Sequence, residues 1–216
     1  MPDLLNAVHW GPASKGEPKE LVVLCHGLGA DGFDLIDLAP AWADAVPDAL
    51  FASVHAPEEH FSGFGRQWWP VGDRRPEVME GGARRAAAFL DTFIDAELLR
   101  LGLPQDRYAL MGFSQGAMTV LFTGLRRPVA PRVITAFSGA LIAPETLAAE
   151  RRNAAPVLLV HGEVDGQVPV HRSRDAEAVL TEAGVPVESL YVPGLGHGID
   201  DSGIAIGAAA LRQAFA

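Results

Sequence analysis

The stretch from Tyr108 to Phe122 changes its hydrophobic period partway along. Tyr108-Ala109-Leu110-Met111 is a continuous apolar run of strand length, and Ala117-Met118-Thr119-Val120-Leu121-Phe122 reads as a buried helix. Between them lies Gly112-Phe113-Ser114-Gln115-Gly116. A strand that passes so directly into a helix must turn sharply. The residue at the corner is held in a strained backbone with its side chain exposed. Glycines two places to either side remove side chains that would clash there. The Ser114 hydroxyl then stands at a helix N-terminus, where free N–H groups favour negative charge. A helix-capping serine explains the helix start but not the paired glycines.

The rest of the chain repeats the alternation. Short apolar runs at Leu50–Val54, Arg132–Phe137, Val157–His161 and Val187–Val192 predict further buried strands, beside strands at 4–10 and 20–25. Segments with helical spacing lie between them, at 34–45, 77–100, 114–125, 171–183 and 202–215. The clearest is 77–100, where Ala86, Phe89, Leu90, Phe93, Ile94, Glu97 and Leu98 recur at three and four residues before Gly102 and Pro104. Strands alternating with helices predict an α/β domain with a mostly parallel sheet, and 216 residues suit one domain spanning 1–216. Residues 11–20 read as a turn. Residues 56–76 hold Phe61, Phe64, Trp68 and Trp69 without clear periodicity and predict an ordered rim loop. Its aromatics either bind a ligand or merely anchor the loop.

Composition narrows the partners. A formal charge of −10 disfavours nucleic acid and anionic membrane surfaces. The longest apolar runs, such as 154–160 and 203–211, fall short of the ~20 residues of a membrane span. Met1-Pro2-Asp3 does not open a secretory signal, so a cytoplasmic location is expected. Cys25 is the single cysteine, inside an apolar run, and reads as a buried core thiol.

A serine hydroxyl needs a base to take its proton. On a strand–elbow–helix scaffold the partners follow the serine along the chain. His197, between Gly196 and Gly198 beyond the last predicted strand, is the candidate base. His161 ends a strand and reads as a packed, hydrogen-bonded histidine, and His171 as an exposed helix start. The loop Gly162-Glu163-Val164-Asp165-Gly166 supplies two candidate acids, Asp165 ahead of Glu163, to orient the histidine. Asp200 and Asp201 read as the start of the last helix. An oxyanion site needs two backbone donors. Gln115, after the serine, is one, and Leu28 in the glycine-rich loop His26-Gly27-Leu28-Gly29-Ala30-Asp31-Gly32 is the expected second. Gly27, Gly29 and Gly32 match a dinucleotide spacing, but no helix is expected to open directly on them and no acidic residue follows a second strand in the required place. No cofactor is therefore expected.

Together, the loop 26–32, Gly112–Gly116, His161–Asp165 with Val168-Pro169, and Gly196-His197 resemble the phospholipase/carboxylesterase family, which includes small bacterial carboxylesterases and acyl-protein thioesterases. The resemblance runs from residue 20 to the end of the sequence. It implies an α/β-hydrolase fold with helices on both faces of the sheet and no large lid domain. It selects Asp165 over Glu163 and supports Leu28 and Gln115 as oxyanion donors. It places Trp68 and Trp69 beside an acyl pocket, with Gly27 and Phe113 as further substrate-binding positions. The chain departs from the family at Trp69-Pro70, where similar proteins often carry a phenylalanine-aspartate pair. The implied activity is a serine carboxylesterase on short- to medium-chain esters. A thioesterase or lysophospholipase on the same residues is the alternative, and a non-catalytic binding module the rival from another class. The resemblance implies no cofactor and no metal. A small-molecule ester is the expected partner, no membrane anchor is expected, and a homodimer is a compatible assembly.

Overall fold

The computed structural model describes residues 6–216. In chain order the elements are β1 (Ala7–Trp10), β2 (Glu20–Cys25), α1 (Gly32–Leu35), a 3-10 turn (Ile36–Leu38), α2 (Ala39–Trp42), β3 (Ala49–Val54), β4 (Glu58–Glu59), β5 (Arg66–Gln67), α3 (Pro76–Leu101), β6 (Tyr108–Phe113), α4 (Gln115–Arg126), β7 (Ile134–Phe137), α5 (Pro144–Glu150), β8 (Val157–Gly162), α6 (His171–Glu182), β9 (Val187–Val192) and α7 (Asp201–Phe215). Seven strands form the central sheet in the order β1-β3-β2-β6-β7-β8-β9. Every neighbouring pair is parallel except β1 with β3. β4 and β5 form a separate antiparallel hairpin.

The continuous apolar runs are explained by burial on both faces. In β2, Leu21, Val23 and Cys25 face one core with α3 and α4, while Val22 and Leu24 face a second core with α2 and α7. β6 divides the same way, with Tyr108 and Leu110 against Ala109 and Met111. Cys25 is wholly buried, and burial pushes its thiol pKa up, as a core thiol requires.

Three details depart from expectation. The helix expected at 34–45 is broken into α1, a 3-10 turn and α2. Pro40 at the start of α2 has no N–H to give and its ring crowds the carbonyl four residues back. α1 opens directly at Gly32 with Asp31 as its N-cap, so the expectation that no helix follows the glycine loop is corrected. α5 was not anticipated: Pro144 starts it, but its seven residues bury only Leu147, which leaves little periodicity to read. Residues 4 and 5 of the first predicted strand lie outside the described residues.

Glu97 sits on the apolar stripe of α3 with its side chain 1% exposed. It is satisfied there. His9 Nε2 on β1 lies 3.0 Å from its Oε2, and Arg100 donates to both oxygens at 3.0 and 2.7 Å. Burial alone would raise its pKa, but these partners win and hold it at about 2. The folded value lies below the unfolded one, so this stability is present above the unfolded pKa of 4.5 and is lost as pH falls toward the folded value. Denaturant unfolding of Glu97→Gln should therefore lack about 1–2 kcal/mol of the stability that the native chain loses between roughly pH 6 and pH 3. Parallel pH profiles for the two proteins would refute the assignment.

Candidate active site

In a parallel sheet the loops after the strands gather along one edge, where catalytic groups collect. Here β2, β6, β8 and β9 each deliver one such loop to that edge. At the end of β6, Ser114 has φ 54° and ψ −115°, a conformation an L residue adopts only under constraint. The constraint is packing. A Cβ on Gly112 would lie 2.3 Å from Gly116 O, and one on Gly116 would lie 1.9 Å from Cys25 O. The first turn of α4 is therefore pressed onto both β6 and the end of β2. Ser114 N–H donates to Phe137 O on β7 at 2.9 Å, which fixes the corner further.

Asp165 and His197 meet. His197 Nδ1 lies 2.7 Å from Asp165 Oδ2. The Asp165 side chain is fully buried and that of His197 is 11% exposed. Asp165 Oδ1 accepts from Gln167 N–H at 2.8 Å and Val168 N–H at 2.9 Å. Burial disfavours the Asp165 carboxylate. The His197 bond and the two N–H groups outweigh it and hold the pKa below its usual range. A carboxylate on Nδ1 keeps the proton there and leaves Nε2 free to act as a base. Glu163 points away, exposed and paired with Arg174 Nη2 at 2.7 Å.

The histidine loop is backed by β8. A Cβ on Gly162 would fall 2.3 Å from both Gly196 O and Leu195 O, so the acid-bearing and histidine-bearing loops touch backbone to backbone. The His197 ring rests on Phe113, with ring centroids 4.8 Å apart. Gly27 also lies against Phe113, where an added Cβ would be 3.1 Å from that ring and 3.4 Å from Ser114 Cβ. Phe113 thus touches both the histidine and the glycine loop. The Ser114 hydroxyl does not cap α4, and among the described residues it makes no hydrogen bond to His197. Such contacts are often long in a free enzyme and tighten around substrate. The N–H groups of Leu28 and Gln115 likewise find no acceptor among the described residues. Leu28 is 37% exposed.

The two tryptophans expected beside an acyl pocket lie in the core behind the site. Trp68 and Trp69 are both wholly buried and offer no surface to an open pocket. A Cβ on Gly82 would lie 2.5 Å from Trp69 Cγ, which shows how closely α3 covers that indole. Their main chain holds the Gln115 side chain: Trp68 backbone N–H donates to Gln115 Oε1 at 3.0 Å and Gln115 Nε2 donates to Trp69 O at 2.8 Å. The hairpin tip of the same segment is the opposite case, with Phe61 85% and Phe64 83% exposed.

Sequence reasoning passed over one role. His161 is packed and hydrogen-bonded as expected, but it also touches the acid. Its Nε2 lies 2.8 Å from Val168 O and 3.2 Å from Asp165 Oδ2, while Nδ1 lies 2.6 Å from Ser173 Oγ. Two acceptors at Nε2 assign the proton there, with Ser173 donating to Nδ1. Burial pushes its pKa down, which keeps it neutral. The only signal in the sequence is its place four residues before Asp165. A cleft of about 580 Å³ bounded by His9, Leu50 and Arg100 contains none of Ser114, Asp165 or His197. Among the described residues no group of three or more His, Cys, Asp or Glu is arranged to hold a metal ion, and no helix is long and apolar enough to cross a membrane.

Known proteins resemble this chain in sequence and fold. The phospholipase/carboxylesterase family matches residues 12–212. An esterase of Escherichia coli K12, YpfH, is 32% identical over 199 residues, covering 89% of this chain and 82% of that protein. Acyl-protein thioesterase 1 of Schizosaccharomyces pombe is 32% identical over 166 residues, covering 68% of this chain and 69% of that one. The crystal structure of esterase PE8 superposes with a TM-score of 0.91 at 40% identity, covering 96% of this chain and 98% of that one. With an α/β-hydrolase sheet and a match across nearly its whole length, the chain belongs to the phospholipase/carboxylesterase family of serine hydrolases that act on ester bonds.

Proposed function

We propose that the protein is a carboxylesterase that cleaves short- to medium-chain carboxylic esters through an acyl-enzyme on Ser114. The observation that carries this reading is the strained Ser114 elbow on the same sheet edge as the 2.7 Å Asp165–His197 pair. His197 Nε2 takes the Ser114 proton as Oγ bonds to the ester carbonyl carbon. The carbonyl oxygen becomes an oxyanion held by the Leu28 and Gln115 N–H groups. Collapse breaks the bond to the alkoxy group, and His197 passes the proton to the departing alcohol. Water, deprotonated by His197, then attacks the acyl carbon and releases the carboxylic acid and free Ser114. Asp165 stays ionised throughout and stabilises the imidazolium.

The rim supports an acyl substrate. Of the six exposed large apolar residues among the described residues, five (Leu28, Phe33, Phe61, Phe64 and Val164) lie on segments that leave this sheet edge. Apolar side chains concentrated at one place mark a binding surface. The similarity to an acyl-protein thioesterase keeps thioester cleavage as the second reading, because both reactions use the same groups.

Two measurements test this. A fluorophosphonate probe should label one site, on the peptide containing Ser114; an unlabelled protein would favour a binding module. On a panel of p-nitrophenyl esters and matching thioesters of increasing acyl length, kcat/KM should peak among the shorter esters. A peak on long-chain thioesters would replace the esterase reading with the thioesterase one.

A further inference from the structure

His26 lies at the end of β2, wholly buried, and takes no part in the proton transfers above. Its Nε2 is 3.1 Å from the Ala56 N–H, and its Nδ1 is 2.7 Å from Gly27 O. A backbone N–H can only donate, so Nε2 is the acceptor and Nδ1 carries the proton. Nδ1–H therefore donates to the Gly27 carbonyl. Burial lowers the His26 pKa to about 4, so the ring stays neutral and this tautomer persists at ordinary pH. The Gly27 carbonyl and the Leu28 N–H belong to one planar trans peptide unit and point in opposite directions. A clamp on the carbonyl consequently aims the N–H. Ala30 N–H also reaches Gly27 O, but only at 3.3 Å.

The clamp is tied to the second donor. Trp68 Nε1–H donates to His26 O at 2.9 Å, and Trp68 N–H donates to the Gln115 side chain at 3.0 Å. One buried residue thus bridges the two, its indole N–H to the His26 carbonyl and its main-chain N–H to the Gln115 side chain. Sheet pairing does not require this bridge, since Trp68 lies outside every strand.

We propose that His26 is a positioning residue that aims the Leu28 N–H at the developing oxyanion, and that Trp68 locks His26 and Gln115 so that both donors are held as one rigid unit. This rests on the reading of Leu28 and Gln115 as the oxyanion donors. A donor displaced by about 1 Å costs on the order of 10² in rate.

The two ring nitrogens can be tested separately. Asparagine places its amide nitrogen where Nδ1 was, so His26→Asn keeps the donor to Gly27 O and loses the acceptor for Ala56. Glutamine reaches the Nε2 position, so His26→Gln keeps that acceptor and loses the clamp. With p-nitrophenyl butyrate, and with enzyme concentration fixed by end-point fluorophosphonate titration so that only folded sites count, His26→Gln should lose about 10²-fold in kcat with KM little changed. His26→Asn should stay within about tenfold of the native chain. Equal losses, or a greater loss in His26→Asn, would make His26 a structural anchor and overturn the proposal. Leu28→Pro, which deletes the aimed N–H, separates the two levels. If it keeps native kcat, the oxyanion reading itself fails. If it loses kcat by on the order of 10²–10³ while His26→Gln does not, only the role of His26 fails.

Discussion

Ser114→Ala is expected to lower kcat for p-nitrophenyl butyrate by about 10⁶-fold, down to the residual rate that binding and oxyanion stabilisation give alone. The fold should survive. The Ser114 side chain does not cap α4, so its removal orphans no partner there. Alanine keeps the Cβ and with it the constrained φ of 54°. Ser114→Gly should be equally inactive but more stable, by about 1 kcal/mol, because glycine adopts this conformation without strain. Steady-state rates and denaturant midpoints measure the two effects independently. A Ser114→Ala protein that turns over at the native rate would remove Ser114 from the mechanism.

Asp165→Asn should cost about 10⁴-fold in kcat with little change in KM. The reason lies in how the carboxylate is held. Oδ1 faces two N–H donors, from Gln167 and Val168, and so must remain an oxygen. The new amide NH2 is forced into the Oδ2 position, 2.7 Å from His197 Nδ1 and 3.2 Å from His161 Nε2. There it donates to His197 Nδ1 and drives the proton onto Nε2, the nitrogen that must accept from Ser114. His161 meets a second donor as well and loses one of its two acceptors. Single-turnover acylation would show the defect directly. If acylation is as fast as in the native chain, Asp165 is not the residue that sets the tautomer.

Much of this arrangement was legible before any coordinates, for identifiable reasons. The elbow could be read because Gly112 and Gly116 stand where an added Cβ would fall 2.3 and 1.9 Å from a backbone oxygen, room that only glycine leaves. The parallel strands could be read because both faces are buried, which leaves continuous apolar runs. The helix at 77–100 was visible with Glu97 in its stripe, and only the structure supplies the His9 and Arg100 that make a buried glutamate tolerable there. Asp165 and Glu163 could not be separated by composition or spacing, since that choice depends on which carboxylate the loop turns inward. The burial of the tryptophans was hidden for a similar reason. An aromatic pair in an irregular segment looks the same whether it lines a groove or lies beneath it. Trp68 and Trp69 are wholly buried, while Phe61 and Phe64, eight and five residues before Trp69, stand in solvent. Burial of His26 is set by strands far apart in the chain, so no local pattern announces it.

The β4–β5 hairpin is stitched to the glycine loop at its base and free at its tip. Gly29 N–H donates to Arg66 O, Arg66 N–H donates to Ala30 O, and Gly65 lies so near Gly29 that a Cβ there would come within 1.9 Å of its carbonyl oxygen. Phe61, Ser62, Gly63 and Phe64 are exposed, and nothing lies within 4 Å of a Cβ built on Gly63. For anyone wishing to evolve new selectivity, this boundary separates mutable from immutable sequence. A randomised library should vary Phe61, Ser62 and Phe64, keep Gly63, whose φ of 78° favours glycine, and stop short of Gly65. Inside those limits the rim that meets an incoming molecule can be rewritten while the machinery behind it keeps its alignment.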